Sequence, residues 1–520
     1  MNKLADGSRL TTCRDDVFFT AWRRRLIIAV LALTAYYPTL KMGFLWDDHV
    51  MIEQNQRLHA WSSDNLRHDF HADVFDGHGD RYYRPMQTIA NRVDYTLWKL
   101  RPFGYHLTNL LFHIGNSLLA GELLIALGAL PIEALIAGVF FAVHPIGVEQ
   151  MMIIAGRAEL MALFFSLAAI LFLLQRGAWP LAASTISFIL ALLSKESAVA
   201  TPFLAALAFY KRRTVPSSRQ VVSRDPSIKA SMDGPRITDF LGDVFKVLGF
   251  SSMVFPYLLW RRHVMGPIPF SVPHSWIPLF YFKAFPKVLW EYAGLIFAPW
   301  NLHSHRLMPH LSHYWFLYLS AWIALKLALW LAGSRFGLFC LGWFVVTFLP
   351  KTPVMIAGNF MLDHWAYPAV IPAGWVFAKI IARLWNTGRE WRRATAVILC
   401  MTVIINLALL VRLNVELRNT DEKMYRWALR FTTSNPIKYN LGAVLLNQNK
   451  PEEALGYFLD VHRAYPDDLH NSNAIAQAIW QIGQKIQAID YLEALHRKHP
   501  EDSETSRHLE QLKLKLQQRE

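Results

Sequence analysis

The chain has 520 residues, of which 53% are hydrophobic, and it carries a formal net charge of +14. A soluble chain of this length is normally divided into several domains and is less apolar. The basic residues stand beside apolar runs, which argues against nucleic-acid binding. The three cysteines, Cys13, Cys340 and Cys400, show neither a disulfide framework nor metal-type spacing. Composition therefore predicts an integral membrane protein.

The chain begins with a polar tail, residues 1–25, which ends in the basic run Arg23–Arg25. The first apolar run, 26–45, is not followed by a small-residue cleavage site, so we interpret it as an uncleaved signal anchor. Asp47 and Asp48 come directly after this run. Charges held near membrane depth are functional candidates, although this pair could also do no more than end the span.

About twelve apolar segments follow one another up to residue 411, each near the length that a membrane span needs. They are 26–45, 105–128, 132–147, 157–175, 179–193, 197–210, 242–260, 282–299, 311–332, 336–350, 364–382 and 394–411. The sequence predicts an all-α, polytopic membrane domain over residues 26–411.

Flanking charge predicts the topology, because basic loops stay on the cytoplasmic side. With Arg23–Arg25 inside, the loop 46–104 is external and the basic stretch Lys211–Lys229 is again inside. The second basic loop, Arg383–Arg393, is also expected inside, whereas twelve crossings would place it outside.

One apolar segment is therefore expected not to cross fully. The candidates are 242–260 and 282–299, because basic residues lie beside both. About eleven spans then place the C-terminal region outside.

Composition changes after Arg412, where 412–434 reads as a linker with an amphipathic helix and 435–520 as a repeat domain. Three pairs of small or proline residues recur at a spacing of 34 residues: Gly442 and Ala476, Ala454 and Ala488, and Pro466 and Pro500. This period is typical of tetratricopeptide repeats. We predict two repeats, 435–468 and 469–502, and a polar capping helix at 503–519, which together form a short α-solenoid.

Under this topology, charged and imidazole side chains near the span ends fall on the external face. Besides Asp47 and Asp48, they are Arg84, His106, His144, Glu149, Arg157, Glu159, Lys195, Glu196, Asp363 and His364. Each has a structural interpretation of its own, such as a helix terminator before proline or a residue that reaches the membrane interface. Their concentration on one face favours a reactive external cavity.

The residue types suit a lipid-linked sugar donor. A sugar on a polyprenyl phosphate needs cations for the departing phosphate, which Arg84, Arg157, Lys195 and the histidines can supply. Asp47 or Asp48 can act as general base for the acceptor hydroxyl, and direct displacement would invert the anomeric centre. The sequence does not decide between the two aspartates.

Six motifs, taken in order, resemble the transmembrane and tetratricopeptide-repeat glycosyltransferases. They are Phe44-Leu45-Trp46-Asp47-Asp48, Tyr83-Arg84-Pro85, Gly104-Tyr105-His106-Leu107-Thr108-Asn109-Leu110, Val143-His144-Pro145-Ile146-Gly147-Val148-Glu149, Gly156-Arg157-Ala158-Glu159-Leu160 and Ser194-Lys195-Glu196. The resemblance covers about residues 40–210, and the C-terminal repeats reinforce it.

This resemblance implies the GT-C fold, kinship with protein O-mannosyltransferases, and transfer of a sugar, often mannose, from a polyprenyl or dolichyl phosphate to Ser or Thr. By resemblance, Asp47 and Asp48 correspond to the diacidic motif of the first external loop. Glu159 stands where the family commonly has Asp, and Asp363-His364-Trp365-Ala366-Tyr367-Pro368 fits a late aromatic-Pro motif only loosely. The short repeat region suggests a bacterial member, with the site and the repeats on the periplasmic face of the inner membrane.

Other functions fit the same features. A GT-C transferase could modify a lipid or glycan, the chain could be a non-catalytic scaffold that displays the repeats, and a transporter is a further alternative. Expected partners are the lipid-linked donor, an acceptor or partner protein at the repeats, and membrane lipids. No cofactor is assigned: the resemblance leaves a divalent metal open, and the histidines 303, 305, 310 and 313 lack diagnostic spacing.

Overall fold

The computed structural model describes residues 20–75, 82–213, 237–266, 276–308, 314–358 and 360–518. It divides into two compact units: unit 1 comprises Met1–Leu302 and Met308–Val415, and unit 2 comprises His303–Leu307 and Glu416–Glu520.

Within the described ranges, seventeen α-helices lie up to residue 418. They are α1 (Ala21–Tyr36), α2 (Ser63–Asp69), α3 (Pro85–Trp98), α4 (Pro102–Ala126), α5 (Pro131–Ala142), α6 (Val148–Met152), α7 (Arg157–Leu173), α8 (Ala178–Ser194), α9 (Thr201–Arg212), α10 (Ile237–Met265), α11 (Trp276–Leu279), α12 (Phe285–Phe297), α13 (Trp315–Leu331), α14 (Arg335–Phe348), α15 (Thr352–Gly358), α16 (Val370–Trp385) and α17 (Glu390–Arg418). The α3, α4 and α5 helices each begin with proline, whose fixed φ suits the first helical position.

Strand structure among the described residues is limited to two short segments, β1 (Arg306–Leu307) in unit 2 and β2 (Phe360–Met361) in unit 1. The fold is therefore all-α, as the sequence predicts.

Each of the twelve predicted apolar segments coincides with a helix, but several of these helices are short. By length and composition, six described helical stretches can cross a membrane, and a seventh crossing results if the pair α5 and Pro145–Met152, bent by 43°, counts as one span. The six are Pro102–Ala126, Ile154–Leu173, Phe240–Met265, Arg335–Gly358, Asp363–Trp385 and Glu390–Arg418.

By length and composition, the described residues therefore contain six or seven possible spans, fewer than the eleven or so that the sequence predicts. The first segment, 26–45, is not one continuous helix, because Pro38 lies in a 3-10 turn that follows α1. Residues 242–260, proposed above as an incomplete crossing, lie in a helix long enough to span. By contrast, 282–299 contains the end of a π-helical turn, Phe280–Ala284, and the 13 residues of α12, and it is not among the six.

Large apolar side chains lie on the outside of unit 1. Only 11% of the span in α10 and 17% of the span in α17 are buried, and α13 buries no residue. Apolar helices with so little cover are expected to face lipid. The protein is therefore an integral membrane protein.

The interior of unit 1 forms where α4, α5, α7, α8 and α16 pack on one another. Gly374 on α16 lets that helix approach α5, since a Cβ at this position would lie 3.0 Å from the carbonyl oxygen of Ala137. Small residues permit close helix packing in membranes.

Unit 2 is a series of helices in which each packs on the next. They are α18 (Asp421–Ala428), α19 (Asn435–Asn447), α20 (Pro451–Ala464), α21 (Leu469–Ile482), α22 (Lys485–Lys498) and α23 (Ser503–Gln517). The starts of α19, α21 and α23 are 34 residues apart, as are the starts of α20 and α22. Side chains cap three of these helices, because Thr420, Asp468 and Asp502 accept hydrogen bonds from first-turn N–H groups.

Candidate active site

The acidic pair lies in a turn after α1, and its two carboxylates have different surroundings. Trp46 has a positive φ of 52°, and such a conformation in a bulky residue is uncommon and marks a constrained turn. Asp47 is partly exposed, whereas Asp48 is fully buried. The chain turn thus directs the neighbouring carboxylates into different environments.

Three main-chain N–H groups hold the carboxylate of Asp48. The N–H groups of Leu45 and Ile154 donate to Oδ2 at 3.1 and 3.0 Å, and that of Ala155 donates to Oδ1 at 2.9 Å. Burial raises the pKa of Asp48 to about 7, more than the three N–H donors lower it. Asp48 therefore fastens the first loop to the segment that leads into α7.

The first turn of α7 carries Glu159 into a cluster of buried charges. The Glu159 carboxylate lies 2.8 Å from Lys195 Nζ and 3.1 Å from Lys351 Nζ. Lys351 also donates to the carbonyl oxygen of Trp365 at 2.7 Å. One carboxylate is thus shared by two ammonium groups in the interior, where charges require such partners.

Arg84 and Glu196 form a second ion pair beside this cluster. The Arg84 guanidinium donates through Nε and Nη2 to the two carboxylate oxygens at 3.3 and 3.1 Å, and it lies 4.3 Å from the centre of the Tyr82 ring. Burial by itself would raise the pKa of Glu196, but the charges of Arg84 and Lys195 lower it to about 2. The pair is therefore ionised at neutral pH.

We call Arg84, Glu159, Lys195, Glu196 and Lys351 the charge network. Their three cations exceed their two carboxylates by one positive charge. All five lie at helix ends: Arg84 precedes α3, Glu159 is in the first turn of α7, Lys195 and Glu196 follow α8, and Lys351 comes shortly after α14. Four of the five residues are among those that the sequence predicts, whereas Lys351, which directly follows the apolar segment 336–350, is not.

Glu149 and His364 meet close to the same end. His364 Nδ1 lies 2.9 Å from Glu149 Oε1, and the side-chain amide of Gln150 donates to the carbonyl oxygen of His364 at 2.9 Å. Asp363, beside His364, is buried. This pair joins the segment before α16 to α6.

Arg157 makes a separate set of contacts with protein groups. Its guanidinium lies 2.5 Å from Asp94 and donates to the side chains of Asn91 and Asn109 and to the carbonyl oxygen of Tyr105. The side chain is fully buried. Arg157 therefore anchors α7 to α3 and α4, and its N–H donors are directed at protein atoms.

Two predicted histidines are likewise engaged by the backbone. The His106 ring lies between the carbonyl oxygens of Gly43 and Met151, at 3.1 and 3.0 Å. His144 Nε2 lies 2.9 Å from the carbonyl oxygen of Ile296, while its Nδ1 accepts a hydrogen bond from the N–H of Ile146. Both rings bridge segments that are distant in sequence.

The histidines considered for metal binding divide into two groups. His303 stacks on Phe431 with ring centres 4.9 Å apart, and His305 Nδ1 lies 3.0 Å from Ser434 Oγ, all within unit 2. His310 and His313 lie outside the described residues. Over the described ranges, no group of three His, Cys, Asp or Glu side chains has an arrangement suited to a metal ion.

The chain is similar in sequence to several proteins named as protein O-mannosyl-transferases. No protein-family model matches the chain. Protein O-mannosyl-transferase Tmtc3 of Drosophila melanogaster is 25% identical over 514 residues, which is 85% of this chain and 55% of that protein. Mouse protein O-mannosyl-transferase TMTC4 is 24% identical over 84% of this chain and 65% of its own length. Mouse TMTC3 is 35% identical over 28% of this chain and 16% of its own length.

Two solved structures are similar at lower levels. The archaeal oligosaccharyltransferase AglB from Archaeoglobus fulgidus has a TM-score of 0.42 at 10% identity and covers 82% of this chain and 60% of its own. ArnT from Cupriavidus metallidurans has a TM-score of 0.37 at 12% identity and covers 91% and 80%. At these TM-scores the two structures carry no argument about this chain.

The chain spans about half the length of the Drosophila relative and about two thirds of the mouse TMTC4 relative. Its similarity to both extends over more than four fifths of its own residues, beyond the 40–210 region in which the motifs lie. The chain is therefore a homologue of proteins named as TMTC protein O-mannosyl-transferases, in agreement with the resemblance that its motifs carry.

Proposed function

We propose that the protein is a membrane glycosyltransferase that moves a sugar from a polyprenyl-phosphate donor to a Ser or Thr hydroxyl of an acceptor protein. The observation that carries the proposal is the charge network, in which three buried cations meet at one end of a helical membrane domain. Its excess positive charge suits a phosphate. The names of the relatives support mannose as the sugar.

Arg84, Lys195 and Lys351 are the groups that we assign to the donor phosphate. Arg84 and Lys195 keep 12% and 10% of their side chains exposed, so a ligand can reach them. Glu159 and Glu196 fix the positions of the cations before the donor arrives. Such preorganised positive charge stabilises the lipid phosphate as it departs.

We assign the general base to Asp47 and a positioning role to Asp48. In the proposed step, the acceptor oxygen forms a bond to the anomeric carbon while the bond from that carbon to the phosphate oxygen breaks. Asp47 takes the hydroxyl proton, and the lipid phosphate keeps the bonding electrons. Asp48 is fully buried and already accepts three N–H groups, whereas Asp47 is partly exposed.

Arg157, His106 and His144 receive supporting roles, because their polar atoms are directed at protein groups. The pair of Glu149 and His364 lies near the charge network, and we assign it to the positioning of Asp363 and the segment before α16.

The charge network is proposed to face the outside of the cell membrane. Basic residues occupy the opposite end of unit 1, where Arg24 and Arg25 pair with Glu122, and Lys211 donates to the carbonyl oxygen of Leu127. Their contacts lie at the C-terminal end of α4, about 37 Å from its N-terminal end at this helix's length. Basic ends stay cytoplasmic.

An odd number of crossings, about eleven, then places unit 2 outside with the charge network. In a bacterial member this is the periplasmic face of the inner membrane. We propose that unit 2 is a tetratricopeptide-repeat domain that binds an acceptor or partner protein there.

A transfer assay tests the function. The purified protein in lipid nanodiscs is given polyprenyl-phosphate mannose and a Ser/Thr-rich peptide, and the glycosylated product is measured. Asp47→Asn is expected to lower the rate by about 10²–10⁴, the usual contribution of a general base. Asp64→Asn, an exposed carboxylate in the same loop, is the matched control and should transfer normally.

Three results would contradict the proposal. Unchanged transfer by both Asp47→Asn and Asp48→Asn would exclude the acidic pair as base. Transfer to lipid but not to peptide would assign the chain to lipid modification. No transfer from any of several lipid-phosphate sugars would favour a non-catalytic scaffold.

A further inference from the structure

The α10 helix has one polar position that its surroundings leave unsatisfied. Most of this helix is open to lipid, and Phe255, Leu258 and Leu259 are 67%, 47% and 53% exposed. Tyr257, by contrast, is only 8% exposed. Within the part of the chain that the structure describes, its buried hydroxyl has no hydrogen-bond partner.

A second unsatisfied donor lies one turn further along. The Nε–H group of Arg261 is buried and also lacks a hydrogen-bond partner among the described residues. Residues four apart on a helix lie on the same face, so the Tyr257 and Arg261 side chains lie on one face of α10. Leaving such atoms unpaired is unfavourable, and a phenylalanine or leucine here would avoid that cost.

Aromatic side chains lie near Tyr257 and its neighbour Trp260. The Tyr83 and Tyr257 rings have centres 6.4 Å apart, and Trp260 Nε1 donates to the Tyr83 hydroxyl at 2.9 Å. The His71 ring meets Trp260 edge-on at 5.3 Å. Apolar and aromatic walls with a few placed polar groups are the usual composition of a small-molecule site.

The position next to the charge network limits what the ligand can be. Tyr83 directly precedes Arg84, and it reaches α10, because its hydroxyl accepts from Trp260 Nε1 and its ring lies near that of Tyr257. A group that binds here while its neighbour binds at Arg84 must be within a few bonds of a phosphate. In a polyprenyl-phosphate donor, the sugar is bonded directly to the phosphate and carries several hydroxyl groups.

We infer that Tyr257 and Arg261, backed by the rings of Tyr83 and Trp260, form the binding site for the sugar of the lipid-linked donor. This inference rests on the proposed function, and it assigns sugar recognition to Tyr257, Arg261 and Trp260, which lie outside the six motifs, together with Tyr83, which lies within one. The Tyr257 hydroxyl and Arg261 Nε–H bind sugar hydroxyl groups, and the rings cover the apolar faces of the sugar.

Equilibrium binding tests the inference without relying on turnover. Full-length protein in nanodiscs is titrated with dolichyl phosphate and with dolichyl phosphates that carry mannose, glucose or N-acetylglucosamine. The unaltered protein is expected to bind at least one sugar-bearing lipid more tightly than dolichyl phosphate itself. Tyr257→Phe should weaken that binding about three- to tenfold, the loss expected for one neutral hydrogen bond.

Two further variants sharpen the test. Arg261→Lys keeps the positive charge but lacks the Nε–H group, and it should also weaken the sugar-bearing lipid selectively. Tyr210→Phe is the matched control, because Tyr210 is 41% exposed, and it should change neither affinity. Since Tyr257→Phe removes an unpaired hydroxyl, its thermal unfolding midpoint should stay level or rise, whereas a structural hydroxyl would lower it.

The outcomes separate the two proposals. If the unaltered protein binds none of the lipids, the proposed function is wrong and the sugar site is lost with it. If all lipids bind but Tyr257→Phe weakens both forms equally, or neither, the sugar site is wrong while the function stands. If Tyr257→Phe weakens only the acceptor peptide, this face belongs to the acceptor and the inference is overturned.

Discussion

Lys351 shows how one residue can complete a site from far along the chain. It reaches Glu159, which lies 192 residues earlier, and shares this carboxylate with Lys195. All three side chains are at most 10% exposed. In such surroundings, removing one partner of an ion pair leaves a buried charge uncompensated. The loss of stability is then larger than the net stabilisation that the pair provided.

We therefore predict that Lys351 and Glu159 are energetically coupled. Lys351→Met leaves Glu159 with one cation and should lower the unfolding midpoint in detergent. Adding Glu159→Gln removes the carboxylate that Lys351 paired with, so the double variant should be less damaged than the sum of the singles by about 1–3 kcal/mol. A double-mutant cycle from thermal unfolding measures this coupling.

The matched control for this cycle is Lys379 with Glu133, whose lysine is 36% exposed. Surface pairs of that kind contribute about 0–1 kcal/mol, so the control cycle should give the smaller coupling. Additive effects in the Lys351 cycle would show that the charge network does not act as a unit.

Asp48 should make stability depend on pH in a direction unlike that of most carboxylates. Its folded pKa of about 7 exceeds its ordinary value of 3.8, so the folded state binds more protons than the unfolded state between these two values. The contribution of Asp48 to stability is therefore largest below pH 4 and is lost as the pH rises to about 7.

This predicts that Asp48→Asn, which does not titrate, gains stability relative to the unaltered protein as the pH rises from 5 to 8. Unfolding midpoints of both proteins across this range measure the difference, with Asp64→Asn as a control that should show no trend. The opposite trend would show that the three N–H donors outweigh burial and hold Asp48 ionised.

At the residue scale, the sequence identified most charged members of the candidate site, because ionisable residues beside apolar segments stand out. It did not separate their roles. Arg84 and Arg157 both stand at the start of a helix. Arg157 is enclosed by Asp94 and two asparagines, whereas the Arg84 side chain is 12% exposed. That difference depends on neighbours 48–112 residues away in sequence.

At the element scale, the helices follow the apolar pattern and the proline positions. Proline at the first position of α3, α4, α5 and α20 marks their starts, and Pro38 accounts for the early end of α1. The 34-residue period seen in the sequence recurs in the starts of the helices in unit 2. The pattern does not predict which side chain packs into the space where two helices approach closely.

Where α19 and α20 cross, Gly442 faces Phe458. The equivalent positions 34 residues later are Ala476 and Leu492. A Cβ on Gly442 would lie 2.6 Å from the Phe458 ring. In the first pair, glycine leaves room for the larger phenylalanine ring. In the second pair, alanine adds a Cβ and the partner is the smaller leucine. The two repeats fill the same space in different ways.

We predict that Gly442→Ala destabilises unit 2 by about 1–3 kcal/mol, the usual effect of overpacking. Phe458→Leu in the same chain should restore most of the loss, because it recreates the arrangement of the second repeat. Thermal unfolding of the single and double variants tests this, and Gly456→Ala is the control since nothing lies within 4 Å of its Cβ. A double variant worse than either single would contradict the pairing.

At the scale of the whole molecule, the central question is which side of the membrane each region occupies. We predict that Asn449, in an exposed turn of unit 2, and Asp64, in the first loop, lie on the outer side. Thr387, in the second basic loop, should lie on the cytoplasmic side. Single cysteines at these positions in whole cells, treated with a membrane-impermeant maleimide, distinguish the two sides.

Labelling of Asn449→Cys and Asp64→Cys without Thr387→Cys is the expected result. Since Cys13, Cys340 and Cys400 are native, each is first replaced by serine or alanine. Labelling of Thr387→Cys together with Asp64→Cys would contradict the odd number of crossings, and an unlabelled Asn449→Cys in intact cells would place unit 2 inside.

The sequence by itself determined that this is a membrane protein of helices, which family its motifs resemble, and where the 34-residue repeat lies. These properties depend on composition and on spacing along the chain, which are local. Only the tertiary structure decided that Lys351 joins Glu159 and that Asp48 is held by backbone N–H groups while Asp47 is partly exposed. It also decided that the buried Tyr257 hydroxyl has no hydrogen-bond partner among the residues that the structure describes. The physical reason is that the state of a buried polar group is set by the atoms packed around it, and these come from segments that only folding brings together.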